Sequence, residues 1–152
     1  LGSPNYARFI YDGDGSSFGI QGPGDSGMIE GLFTTYFANK GLQVEPTAFD
    51  GRSDYGPFIE VGVPSGGLFS GAEGIMTSSQ STKFNGITGV AFDECYHQEC
   101  DTKENINWDG LHEMGDAILN VTLQIAEVEE MRNPASAVNR IRLPYKGHLL
   151  VY

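Results

Sequence analysis

Basic residues are scarce in this chain. Nine Lys and Arg stand against twenty Asp and Glu in 152 residues, a formal charge of −11. Phosphate backbones are gripped by clustered Lys and Arg, so this balance argues against a nucleic-acid partner. Long apolar runs are also lacking: none approaches the roughly 20 residues a membrane helix needs, and no membrane partner is expected. Cysteine is limited to Cys95 and Cys100. An even count at close spacing suits one local disulfide, and with it an oxidising compartment. The opening "LGSPNYARF" has no methionine, basic segment or apolar segment, so no signal peptide is read there. The expectation is that something upstream was removed or that this is a piece of a longer chain.

What is present suits one globular domain. Hydrophobic residues make up 39% of the chain, with nine Phe and seven Tyr, enough for a sizeable core. "ARFIYD" (7–12) is rich in β-formers and predicts a strand, and the glycine-rich stretch after it predicts a loop. From Met28, apolar residues recur at 28, 29, 32, 33, 36 and 37, the stripe of an amphipathic helix. Asp25 or Ser26 suits its N-cap and Gly41 its C′ position. "LQVEPTAF" (42–49) then completes a strand–helix–strand unit, and "VPSGGLF" (63–69) predicts a third strand. Thr77 would cap a short helix in "TSSQSTKF". Leu111, Met114, Ile118, Val121, Ile125 and Val128 step by three and four, predicting a helix from Trp108 to about Met131. Residues 132–152 carry Arg132, Arg140, Arg142 and Lys146 and read as a tail appended to a 1–131 domain. This order predicts an α/β fold with three or four strands, thin for a complete domain of that class. "NVT" at 120–122 is a glycosylation sequon inside a predicted helix and carries little weight.

The two cysteines bracket Tyr96 and His97 in "DECYHQECD". As zinc ligands they would want two more Cys or His nearby, and His112 and His148 fall in a helix and in the tail. As a redox pair they lack the C-x-x-C spacing. A disulfide closing a small loop is the reading this leaves in front, and the spacing does not decide whether the loop is a mere staple or presents Tyr96 and His97 to a ligand. "FDGRSDYGPF" (49–58) sets Asp50, Arg52, Asp54 and Tyr55 beside glycines after a strand, where α/β folds place sites. The plainer reading is a capped turn, with Ser53 or Asp54 capping a short helix and Arg52 paired locally. "PSGGLFSGAEG" has neither the spacing nor the lysine of a nucleotide loop.

Taken together, "GSPN", "GRSDYGPF", "VGVPSGGLFSGAEG", "AFDECYHQECD" and "NIN", in this order, resemble the secreted di-zinc aminopeptidases, exopeptidases that remove N-terminal residues such as leucine or lysine. The resemblance covers residues 1 to about 130 and the C-terminal half of that domain. It implies a mixed-sheet α/β/α sandwich with two zincs at the carboxyl ends of the strands. It makes His97 a zinc ligand, Tyr96 the donor to the developing oxyanion, Gly51 and Arg52 the border of the pocket for the substrate's amino terminus, and Phe69 the wall of the side-chain pocket. It implies a Cys95–Cys100 disulfide. A co-catalytic zinc pair takes about five ligands and a general base; in the family the others lie upstream of "GSPN", so this chain would hold one ligand. No calcium site is expected: of the helix acids that bind calcium in some relatives, Asp116 is kept and His112 replaces another. The resulting expectation is a secreted peptidase portion, inactive alone and completed by an N-terminal half of the same enzyme, with peptides as substrates. The alternative is a non-catalytic, self-associating structural or binding protein derived from the same fold.

Overall fold

The computed structural model describes residues 1–127. The expected domain boundary at residue 131, the end of the long helix and the tail lie outside these residues. Eight elements follow one another: β1 (Phe9–Tyr11), α1 (Ser26–Asn39), β2 (Glu45–Thr47), α2 (Gly56–Glu60), β3 (Leu68–Phe69), α3 (Ser78–Phe84), a single 3-10 turn (Lys103–Asn105) and α4 (Trp108–Glu127). The sheet runs β2–β1–β3. β1 and β2 are parallel, with Ile10 opposite Pro46. β1 and β3 are antiparallel, with Phe9 opposite Phe69. The fold is α/β with a mixed sheet, and β1–α1–β2 is the strand–helix–strand unit expected from the sequence.

The strands are shorter than the β-forming stretches predicted. Pro46 has no N–H to donate, which confines β2 to pairing on one side. Only Leu68–Phe69 of the 63–69 stretch is strand, because Pro64 and the glycine pair at 66–67 break the ladder before it; Gly67 sits at φ 157°. Among the described residues the outer edges of β2 and β3 are unpaired in the sheet.

Alternation along β1 divides the core. Ile10 points to the face covered by α1 and α4, joining Ile29, Phe33, Phe37, Leu68, Met114, Ala117 and Val121. Phe9 points to the other face and meets Ala7, Met76, Phe84 of α3 and Phe92. Phe84 and Phe92 present their edges to the Phe9 ring, at 6.2 and 5.4 Å between centroids, a favoured aromatic geometry. Tyr11 shares that face at the carboxyl end of the strand, and there the site is built.

The helix ends explain themselves locally. α1 stops at Gly41, φ 68°, whose N–H bonds the Ala38 carbonyl while the Leu42 N–H bonds that of Phe37. That pair of bonds is a Schellman cap. Thr77 caps α3 as expected, trading bonds with Gln80 in a capping box. α4 starts where the Asn107 side chain accepts the Gly110 N–H at 3.0 Å. Arg8, just before β1, grips Glu113 of α4 through both carboxylate oxygens and ties that helix to the sheet. α2 departs from expectation: Tyr55, not Ser53 or Asp54, precedes its first residue.

Candidate active site

Three segments meet at the carboxyl end of β1. The first is the Phe49–Tyr55 turn. Gly51 adopts φ 83°, a left-handed conformation costly for other residues. Its N–H bonds the Tyr55 hydroxyl at 2.7 Å, and that hydroxyl donates to Asp50 Oδ1 at 2.9 Å. Burial, with this bond to Asp50, raises the Tyr55 pKa. Phe49 stacks on Tyr11 at 5.1 Å, and Tyr55 meets the same ring edge-on at 4.7 Å. Arg52 is not paired locally: its guanidinium reaches Glu73 at 2.7 Å, with both side chains half exposed. A pair so wet contributes little to stability.

The second segment is Leu68–Glu73. Phe69 packs against Phe9 and Tyr11. Gly71 has φ 116°, and a Cβ there would overlap the Phe92 ring. Ala72 follows with φ 49°, a strained conformation for a residue with a side chain. Its carbonyl receives the Asp93 N–H at 2.8 Å, and the Gly74 carbonyl receives that of Phe92, also at 2.8 Å. This glycine-rich stretch is thus the seat for the third segment.

The third is the stapled loop. Cys95 and Cys100 form a disulfide with Cα atoms 5.3 Å apart, as expected. Asp93, only 8% exposed, accepts the Cys95 N–H through Oδ1 at 3.0 Å. The Tyr96 and His97 rings stack at 4.0 Å, and His97 holds φ 55°.

Between these segments lies a cavity of about 570 Å³. Tyr11, Asp50, Arg52, Ser53, Phe69, Ala72, Asp93 and Tyr96 are among the residues on its wall. Three of the expected site residues, Arg52, Phe69 and Tyr96, therefore share one cavity. Gly51 is not on the wall but makes the turn that puts Asp50 and Arg52 there. His97 is exposed beside Tyr96 rather than on the wall. Tyr11 was not singled out from sequence; burial, then the Asp50 charge, push its pKa up to about 12. Asp50 and Tyr55 sit inside a motif already quoted, whereas nothing local marks Tyr11, a core-like residue at a strand end.

A separate acidic group lies where β1 gives way to α1. Carboxylate oxygens of Asp12, Asp14 and Glu30 come within 4.8 Å of one another, the one such group of three or more among the described residues. Asp12 is buried and already accepts the N–H groups of Ser17 and Phe18. Burial comes first among the causes that raise the Glu30 pKa, with the Asp14 and Asp12 charges adding to it. An all-oxygen set of this kind suits hard cations better than zinc.

The model of peptidase family M28 matches residues 1–122, which include all three segments. The chain belongs to peptidase family M28. Among its M28 relatives, an aminopeptidase of Pseudomonas aeruginosa is 53% identical over 122 residues, 80% of this chain and 23% of that protein. Leucine aminopeptidase 2 of Arthroderma otae is 48% identical over 126 residues, 83% of this chain and 26% of that protein. Leucine aminopeptidase 2 of Trichophyton rubrum is 52% identical over 107 residues, 70% of this chain and 22% of that protein. The chain thus spans about a quarter of the length of the curated relatives it matches.

Proposed function

We propose that this chain supplies the C-terminal portion of the catalytic domain of a secreted zinc aminopeptidase. On this reading it is inactive alone and is completed by an N-terminal half of the same enzyme. The observation that carries the reading is the convergence of Tyr96, Arg52 and Phe69 on one cavity, with His97 stacked against Tyr96 in a disulfide-closed loop. The names of the relatives above support it.

His97 fits as one metal ligand: it is exposed and held at a loop tip. Among the described residues His97 belongs to no group of three or more metal-ligating side chains, so the rest of a zinc set would come from elsewhere. Zinc, when bound, supplies a Lewis acid and a water activated at neutral pH. The Tyr96 hydroxyl donates a hydrogen bond to the oxygen of the scissile carbonyl as its charge develops. Phe69 and Tyr11 offer an apolar wall to the first side chain, while Asp50, beside Gly51 and Arg52, offers a carboxylate to an ammonium group. The Cys95–Cys100 disulfide supports secretion, since such bonds persist in oxidising compartments.

The test is hydrolysis of leucine p-nitroanilide. The full-length protein should hydrolyse it, lose activity to a zinc chelator, and lose part of its bound zinc on His97→Ala; the 152-residue chain alone should be inert. Chelator-insensitive activity, or unchanged zinc content in His97→Ala, contradicts the proposal. Among the described residues the outer edge of β3 is unpaired in the sheet, which also suits the alternative of self-association. Sedimentation would then show the isolated chain as a defined oligomer that does not dissociate when the N-terminal half is added.

A further inference from the structure

The "NIN" stretch, Asn105 to Asn107, marks the family resemblance but has no role in the site as described so far. Asn107 is accounted for by the start of α4. Asn105 is not. It ends the 3-10 turn, and its Nδ2 donates to Asp93 Oδ1 at 2.9 Å and to Asp101 Oδ1 at 3.4 Å. Those two aspartates are the first and last residues of "DECYHQECD". One side-chain amide therefore joins both stems of the stapled loop, outside the ring that the disulfide closes.

The two closures do different work. The disulfide fixes the distance between Cys95 and Cys100 but leaves the closed ring free to swing about its stems. Asp93 is the fixed end. It is buried, its N–H is bonded to the Ala72 carbonyl, its Oδ1 receives the Cys95 N–H, and its carbonyl receives the Tyr96 N–H at 3.4 Å. Asp101 is the exposed end, its N–H bonded to the Gln98 carbonyl at 3.0 Å. Asn105 couples the loose stem to the fixed one. His97, between them, holds a left-handed conformation, which persists only when its surroundings over-determine it.

We propose that Asn105 is a positioning residue for the reaction, acting through Asp93 and Asp101 to hold the loop that presents Tyr96 and His97. The inference rests on the aminopeptidase reading of those two residues. Partners that orient a ligand or donor without touching substrate are typically worth about 10- to 100-fold in metal affinity or activity.

The experiment compares Asn105→Ala, Asn105→Asp and the double variant Asn105→Asp with Asp93→Asn. In the 152-residue chain, hydrogen exchange is followed across the 93–101 peptide and the core peptides; in the full-length protein, zinc affinity, kcat and KM are measured with leucine p-nitroanilide. Asn105→Ala should speed exchange in the 93–101 peptide while leaving β1 and α1 unchanged. It should lower kcat or zinc affinity by about tenfold or more, with KM little altered. Asn105→Asp should be worse, since it sets a third carboxylate against Asp93 and Asp101. The double variant should recover part of the loss, because it restores a bond between positions 93 and 105 while the carboxylate at 105 still faces Asp101. The amide introduced at position 93 can donate to the carboxylate introduced at position 105, while its carbonyl still accepts the Cys95 N–H. It also keeps the test open should Asn105→Ala not fold. Unchanged loop exchange in Asn105→Ala, exchange raised equally in the core, or a double variant no better than Asn105→Asp would overturn the proposal. A wild-type full-length protein without activity would overturn the aminopeptidase reading instead, and loop exchange alone would then decide the role of Asn105.

Discussion

Removing the disulfide should lower stability by a modest, calculable amount. The bond closes six residues, Cys95 to Cys100. Releasing that constraint in the unfolded chain is worth about 2 kcal/mol by the loop-entropy relation. Cys95 is half-buried and Cys100 exposed, so Ser replacements open no core cavity and add little to this. Unfolding 127 described residues at about 2.1 cal/mol/K each gives an entropy of roughly 0.27 kcal/mol/K. The Cys95→Ser/Cys100→Ser chain should therefore melt about 8 °C below the parent, as followed by circular dichroism. Since the Asp93–Asn105–Asp101 bonds lie outside the ring, the loop should stay folded below the transition. An unchanged midpoint would refute the entropic argument. A fall of about 20 °C or more, well beyond that entropy, would show that the loop supports the core rather than resting on it.

Other consequences follow from single contacts. Asn107→Ala removes the acceptor of the Gly110 N–H and the donor to the Pro4 carbonyl, and should cost about 1 kcal/mol in urea titrations. Burial holds the Tyr11 phenol neutral up to about pH 12, whereas an unfolded tyrosine ionises near pH 10. The unfolded state then binds fewer protons between these values, so stability should fall as pH rises from 10 to about 12; Tyr11→Phe should flatten that slope. Glu113→Gln leaves the half-buried Arg8 guanidinium without its partner charge, and should destabilise by about 1–3 kcal/mol, with Arg8→Met/Glu113→Leu recovering most of the loss. On the proposed function, Phe69→Ala should enlarge the cavity and shift the kcat/KM preference toward bulkier first residues, read with a panel of amino-acid anilides.

Legibility from sequence followed locality. The Cys95–Cys100 staple, the Gly41 cap, the Thr77 cap and the buried stripe of α1 each depend on residues within a few positions, and each could be placed in advance. Strand ends could not: Pro46 and the glycines at 66–67 sit inside stretches whose apolar content reads as longer strands. The candidate site was half legible. Arg52, Phe69 and Tyr96 lie in motifs, but the packing of Tyr11 against Phe49 and Tyr55 joins two segments far apart in sequence. The reach of Arg52 across 21 residues to Glu73 and the bracket made by Asn105 are likewise products of the fold. No spacing rule announces a side-chain amide that meets two aspartates 4 and 12 residues before it.

The central claim is that Tyr96 faces the reacting carbonyl of a peptide substrate. The most direct measurement is kcat and KM for leucine p-nitroanilide in the full-length protein and its Tyr96→Phe variant. Loss of one oxyanion donor should lower kcat by about 10²- to 10³-fold with KM nearly unchanged. A variant that keeps wild-type kcat, or loses only binding, would contradict the account.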